Sequence, residues 1–427
     1  MMMYRSLIPL LLILLAAPVL CLGQQAVRPR VSEADHVRFN ELRAEGFKAL
    51  YNLDYEGARL KFKEMARLVP DHPAGPLFLA VSLWTETLNK SRRLQASLYN
   101  TGSFYAKNED KADPRTVEQF RNWTRQATLL AKERLKASPK DAEALYFLGA
   151  TEGLKAAFAG AVERRFIAAL RDGSSSVDHH RDVIKLDPDF HDAELTIGLY
   201  NYIVGGLPLP MKLLASIGGV HGSKKRGVET LERVASKGRW ANDDAKVLLI
   251  AIYKREKRFR EALALSRELG AKYARNYLFK LEAADALISQ ASVERQANHA
   301  TAATEAEREA FAIFDALLND RTTRGAAARL LDLIHFRYGE ALLVAGQPER
   351  AAKEFLAATT VAGAEQEVVT MAHLRAAQSL DLAGKRDEAL AQYRTVLARP
   401  NVFDSQDEAR RGLQEPYRKS GGKNISE

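Results

Sequence analysis

One spacing recurs along the chain and limits what it can fold into. Gly46 is followed twelve residues later by Ala58, and four residues after that by Phe62. Gly339, Ala351 and Phe355 repeat both intervals, as do Ala377, Ala389 and Tyr393. Ile250 and Ala262 keep the interval of twelve, with the aromatic Tyr253 three residues after Ile250. A small residue lets two helix backbones approach, and an aromatic fills the space beside that contact. Three prolines stand in similar company, in Val69-Pro70-Asp71, Ser138-Pro139-Lys140-Asp141 and Asp187-Pro188-Asp189. Ten residues after them come Ala80, Gly149 and Gly198. Proline cannot continue a helix, so each marks the end of one and the approach to the next.

Composition agrees with helices. The chain has 427 residues, 46% apolar and 27% charged, with aromatics at only 8%. Ala, Leu, Arg, Lys and Glu, all strong helix formers, recur throughout. This excludes a disordered chain, a collagen-like chain and a disulfide scaffold. The single Cys forms no internal disulfide and builds no Cys-based zinc site.

The offsets resemble the tetratricopeptide repeat (TPR) superfamily, in the form of an exported bacterial-type protein. The resemblance implies an all-α fold, a right-handed α-solenoid of TPR-like helix pairs with several insertions. It is clearest over 39–72, 332–362 and 370–401, and partial over 142–155, 191–203 and 243–275, where Ile250 is larger than the motif wants. Residues 173–190 and 224–240 read as second helices of degenerate units. Six to eight helix pairs are expected. Insertions are expected near Asn89–Asp113, Lys155–Arg171, Gly205–Arg226 and Ser289–Glu305, where the spacing breaks. The resulting organisation is a signal peptide at 1–23, a linker at 24–38, solenoid at 39–290, a polar connection at 291–305, further repeats at 306–412 and a tail at 413–427.

The leading segment carries Arg5, an uncharged apolar run from Leu7 to Leu20, and the small residues Cys21 and Gly23 before Gln24. That is the pattern of a secretory signal peptide. It points to the periplasm or cell envelope, with membrane anchoring the alternative if the segment stays attached. Removing residues 1–23 leaves a net charge of 62 − 54 = +8 and no thiol, which suits an oxidising compartment.

Several clusters invite chemistry. His179, His180, Asp187, Asp189, His191 and Asp192 are the right residue types for a transition metal. Their placement instead fits packing at His180 and helix capping by the acids around Pro188. No metal, cofactor or catalytic residue is assigned. Paired acids such as Asp243-Asp244 fall at helix starts, where they complement the macrodipole. The basic run Lys254–Arg260 lies across a helix–turn–helix joint and reads as a solvated turn; nucleic acid is not an expected partner.

Within the TPR superfamily the first helices line a concave groove. Carried over by position, the candidates are Asn40, Arg43, Phe47, Tyr51, Tyr146, Tyr202, Lys254, Arg255 and Phe336. Such a mix suits protein or peptide ligands. The Lys/Asn set of members that clamp an acidic C-terminus does not recur. The Gly205–Gly222 insertion is apolar and Gly-rich, with Leu207, Leu209, Met211, Leu213 and Leu214, and Lys224, Lys225 and Arg226 follow it. An apolar patch rimmed by cations suits an anionic membrane surface or a partner. The expected function is therefore an exported, non-enzymatic scaffold for protein or peptide partners, with contact to lipid or a membrane protein through this insertion as the alternative and a metal- or ligand-binding enzyme around His179–Asp192 as the less favoured one.

Overall fold

The structure, a computed structural model, describes residues 32–90, 113–163, 165–209, 212–213, 221–319 and 330–418. The expected signal peptide, most of the Asn89–Asp113 insertion, and Met211 and Leu214 lie outside them. Among the described residues the regular structure is helical, arranged as antiparallel pairs. These are α1 (Glu33–Tyr51) with α2 (Tyr55–Leu68), α3 (Ala74–Lys90) with α4 (Pro114–Ala137), and α5 (Ala142–Ala161) with α6 (Phe166–Leu186). Next come α7 (Glu194–Gly205) with α8 (Lys224–Lys237), and α9 (Asn242–Arg255) with α10 (Phe259–Lys272). Then follow α11 (Tyr277–Gln296) with α12 (Ala300–Asn319), α13 (Leu331–Val344) with α14 (Pro348–Thr359), and α15 (Gln366–Leu382) with α16 (Arg386–Leu397). A final helix, α17 (Ser405–Gln414), covers the last pair.

The recurring spacing acts as its chemistry requires. A Cβ added at Gly339 would stand 2.8 Å from the Phe355 ring, and one at Gly46 would meet Phe62. Phe62, Phe355 and Tyr393 are fully buried. Gly149 and His180 form the same contact, with 2.6 Å from an added Cβ to the His180 ring, so His180 takes the aromatic's place. The oversized Ile250 has a counterpart: the residue sixteen positions on, where Gly46 has Phe62, is the buried Ser266. Bulk has moved from one partner to the other.

The prolines end helices through the residue before them, which is driven toward extended backbone. Val69, Ser138 and Asp187 have φ/ψ of −130/80, −141/92 and −141/94°, closing α2, α4 and α6. Two insertions lengthen helices. The hairpins α5–α6 and α11–α12 use helices of 20 and 21, and of 20 and 20 residues, against 14 and 14 in α9–α10. Residues 291–305, expected as a polar connection or a helix extension, hold the end of α11, a tight turn at 297–299 and the start of α12, which is the second of those readings. Glu294 and His299 close that turn at 2.8 Å. Helix α1 also starts inside the expected linker, N-capped by Ser32, and α17 runs to Gln414. None of the helices among the described residues is long and apolar enough to cross a membrane.

Candidate functional site

The end of α1 is tied to helices far along the array. Helix α1 crosses to the pairs containing α9 and α11. The Tyr51 hydroxyl donates to the Asp244 carboxylate, and the Tyr51 ring stacks on Tyr273 at 4.8 Å. The Asn276 side chain caps α11 by accepting from the Leu278 amide at 3.0 Å, and donates to the Tyr51 carbonyl at 2.7 Å. The Arg275 amide donates to Asn52 at 3.1 Å. Tyr273 is set in turn by donating to Asp243 at 2.5 Å, beside the Lys272 ammonium at 2.6 Å.

Two adjoining cavities result. One is a polar cleft of about 490 Å³ whose walls include Asn40, Arg43, His72, Glu143, Phe190 and Arg239. The other is a mainly apolar chamber of about 440 Å³ whose walls include Phe47, Tyr51, Leu77, Tyr146, Leu199 and Leu278. Trp240 and Asp192 line both. Trp240 is held in an aromatic cluster, 5.5 Å from Tyr146, 5.7 Å from Phe147 and 5.6 Å from Phe190.

The acid at the junction is structural. Asp192 is buried and accepts from the backbone amides of Trp240 and Ala241 at 2.7 Å each, and of Arg239 at 3.2 Å. It therefore caps the approach to α9, not α7, which its position after Pro188 had suggested. The device recurs where Asp332, at the start of α13, accepts from the Glu365 amide ahead of α15 at 3.1 Å. No local spacing reveals these partners, which lie 47–49 and 33 residues away.

The charges divide into paired and unpaired. Glu143 lies 3.4 Å from His72 and 2.9 Å from Arg134; although burial opposes its charge, those two partners pull its pKa down to about 2. Arg43 sits over the Trp240 ring at 4.9 Å, and its buried Nε has no hydrogen-bond partner. Burial lowers its pKa to about 10. Burial lifts Asp244 to about 6, opposed by the Tyr51 hydroxyl and reinforced by Asp243 and Asp192. Burial lowers His180 to about 4; its Nε2 faces the Tyr146 carbonyl at 3.1 Å, which assigns the proton to that nitrogen.

The nine expected groove residues are not one groove. Asn40 and Arg43 line the cleft, and Phe47, Tyr51 and Tyr146 the chamber. Tyr202 is buried and donates to Glu256 at 2.8 Å. Lys254 is consumed by Glu282 at 2.6 Å and Asp285 at 3.3 Å. Arg255 is exposed, and Phe336 packs edge-on against Phe355 at 5.3 Å. The correction has a physical cause. Lys254 begins a ladder that runs through Asp285, Arg337 and Glu340 to Arg375, so the first helices of successive pairs neutralise one another. Two more cations of the basic run are paired, Arg258 with Glu261 at 2.9 Å and Glu232 at 3.1 Å, and Arg260 with Glu294 at 3.0 Å, while Arg255 and Lys257 are exposed.

At the insertion, Gly205 and Gly222 meet backbone to backbone: a Cβ on Gly222 would lie 2.7 Å from the Gly205 nitrogen. Beyond this neck Leu209 and Leu213 are 77% and 66% exposed, while Leu207 is half-buried. Lys224 turns inward to Glu256 at 2.9 Å; Lys225 and Arg226 are exposed. Around Pro188, His179 lies 3.4 Å from Glu152 and His191 3.2 Å from Glu194. Among the described residues no group of three or more His, Cys, Asp or Glu is placed to hold a metal ion.

These helix pairs, with their small-to-aromatic contacts, define a TPR-like α-solenoid with two adjoining clefts near its N-terminal end. No protein-family model and no curated protein matches the sequence. Among solved structures the chain is similar to the human IFIT1 dimer with PPP-AAAA, at 13% identity over 90% of this chain and 84% of that one, with a TM-score of 0.42. It is similar to yeast Tom70 at 12% identity over 90% and 88%, with a TM-score of 0.35. A tetratricopeptide repeat protein from Parabacteroides merdae is 11% identical over 79% and 99%, with a TM-score of 0.30. Likenesses this remote carry no argument about ligands or partners.

Proposed function

We propose that the protein is a non-catalytic scaffold, exported to the cell envelope, that docks a protein or peptide partner on its helical array. The observation that supports this is the patch beside the Gly205–Gly222 neck. Leu209 and Leu213 stand out from the surface, and Ile203, near the end of α7 before the neck, is 54% exposed. The Lys224–Glu256 pair brings the start of α8, with Arg226, to the end of α9, with Arg255. An apolar patch rimmed by unpaired guanidiniums is what a partner with an acidic rim would cover.

The test is cross-linking in cells, then affinity purification from the envelope fraction, for wild type and for Leu209→Glu with Leu213→Glu. Reproducible partners lost in the variant support the proposal. Partners retained by the variant remove this patch from it, and fractionation of the protein to the cytosol removes the export. The same exposed leucines and cations support a second reading, contact with an anionic bilayer. Flotation with anionic and neutral vesicles separates the two: wild type floating only with anionic vesicles, and the variant with neither, selects the membrane.

A further inference from the structure

The two cavities at the α1 crossing play no part in that docking patch, and they have a chemistry of their own. On the polar side, Arg43 is a half-buried cation with no ion pair or side-chain hydrogen bond among the described residues. The acids around it are committed elsewhere: Glu143 to His72 and Arg134, Asp192 to three backbone amides. The other acids on the cleft wall are Asp71, Asp187 and Asp189, all exposed. A half-buried charge with no direct ion pair is costly, and a bound anion would lower that cost. The guanidinium lies over Trp240, and an edge left free in that position suits a planar carboxylate. Trp240 also lines the chamber, walled by Leu77, Val81, Leu154, Leu199, Leu248 and Leu278.

We propose that cleft and chamber together form one binding site for a free long-chain carboxylate, with its head on Arg43 and its alkyl chain along Trp240 into the chamber. The arrangement matches a typical small-molecule site, mostly apolar with a few convergent polar groups. The alkyl chain supplies affinity through apolar burial, and Arg43 selects the head. The site is independent of the docking patch, so failure of either proposal leaves the other standing.

The test is calorimetric titration of the purified full chain with decanoate, dodecanoate, dodecanol, dodecylamine and dodecyl phosphate, all below micelle formation. Saturable binding of one dodecanoate per chain is expected. Each added methylene should strengthen binding by roughly three- to fourfold. Dodecanoate should exceed dodecanol by about tenfold or more. Arg43→Gln should abolish that preference and keep the chain-length dependence, whereas Ala150→Phe, which fills the chamber, should abolish the chain-length dependence. Arg43→Lys, and melting curves for every variant, separate loss of binding from loss of fold. No saturable binding by wild type, equal affinity for acid and alcohol, or tighter binding of the amine would overturn the proposal. Tighter binding of dodecyl phosphate would overturn the carboxylate assignment. The comparison of acid with alcohol on wild type decides the matter even if no variant folds.

Discussion

The hydroxyl of Tyr51, at the end of α1, donates to the carboxylate of Asp244, near the start of α9 and 193 residues further along the chain. This bond, the stack of Tyr51 on Tyr273 and the link from Asn276 to the Tyr51 carbonyl tie the first pair to helices far along the array, beside the apolar chamber. Tyr51→Phe with Asn276→Ala should therefore release the first pair. Each lost hydrogen bond should cost about 1–3 kcal/mol. Amide exchange should speed up in α1 and α2 and stay unchanged in α13–α16. An unchanged pattern, with an unchanged radius of gyration in small-angle scattering, would show that packing alone holds the crossing.

The pH dependence carries two opposite signs. The pKa of Asp244 is raised from 3.8 to about 6, so the folded state favours its neutral form. Its contribution is fully present below 3.8 and is lost as pH rises through about 6. His180 is lowered from 6.5 to about 4, so its contribution is present above 6.5 and is lost as pH falls toward 4. Asp244→Asn should gain stability relative to wild type between pH 4 and 7, by roughly 2–3 kcal/mol in all. His180→Phe should flatten the loss between pH 6.5 and 4. Urea melts of the three proteins across this range decide it, and parallel curves would show that neither group titrates as placed.

The small-to-aromatic contact predicts a graded series. Gly46→Ala and Gly339→Ala place a Cβ inside the space of Phe62 and Phe355. Each should destabilise by about 1–3 kcal/mol through overpacking. Gly384→Ala meets nothing within 4 Å but has φ +75°, so its cost should be about 1 kcal/mol, from backbone strain alone. Equal melting temperatures for Gly339→Ala and Gly384→Ala would contradict the packing account.

Asp192 and Asp332 use one device at two joints. Asp192 accepts from three amides ahead of α9, and Asp332 accepts from the Glu365 amide ahead of α15 and from its neighbour Leu333. Replacing Asp192 by Ala leaves those amides without their partner, at about 1–3 kcal/mol apiece. Asp192→Ala should therefore unfold at lower denaturant than wild type, and should also weaken ligand binding in the cleft by displacing Trp240. Chemical denaturation checks the first and calorimetry the second.

The paired architecture was legible in the sequence because it depends on contacts sixteen residues apart, close enough for local spacing to record. Gly46 with Phe62, Gly339 with Phe355 and the helix-ending prolines encode steric rules that hold within one pair. The compensation of Ile250 by Ser266 was also within reach, had both positions been read together. The site was not legible. Trp240 belongs to no motif, Asp244 reads as one of two acids at a helix start, and Asp192 looked like a local cap while binding amides 47–49 residues away. Lys254 looked like a groove cation, and only the stacking of successive pairs brought Glu282 and Asp285 to neutralise it. The physical reason is the same in each case. A helix pair is decided by its own side chains, whereas the small rotation from each pair to the next accumulates along the array. That sum brings Tyr51 to Asp244 and forms the chamber that both line.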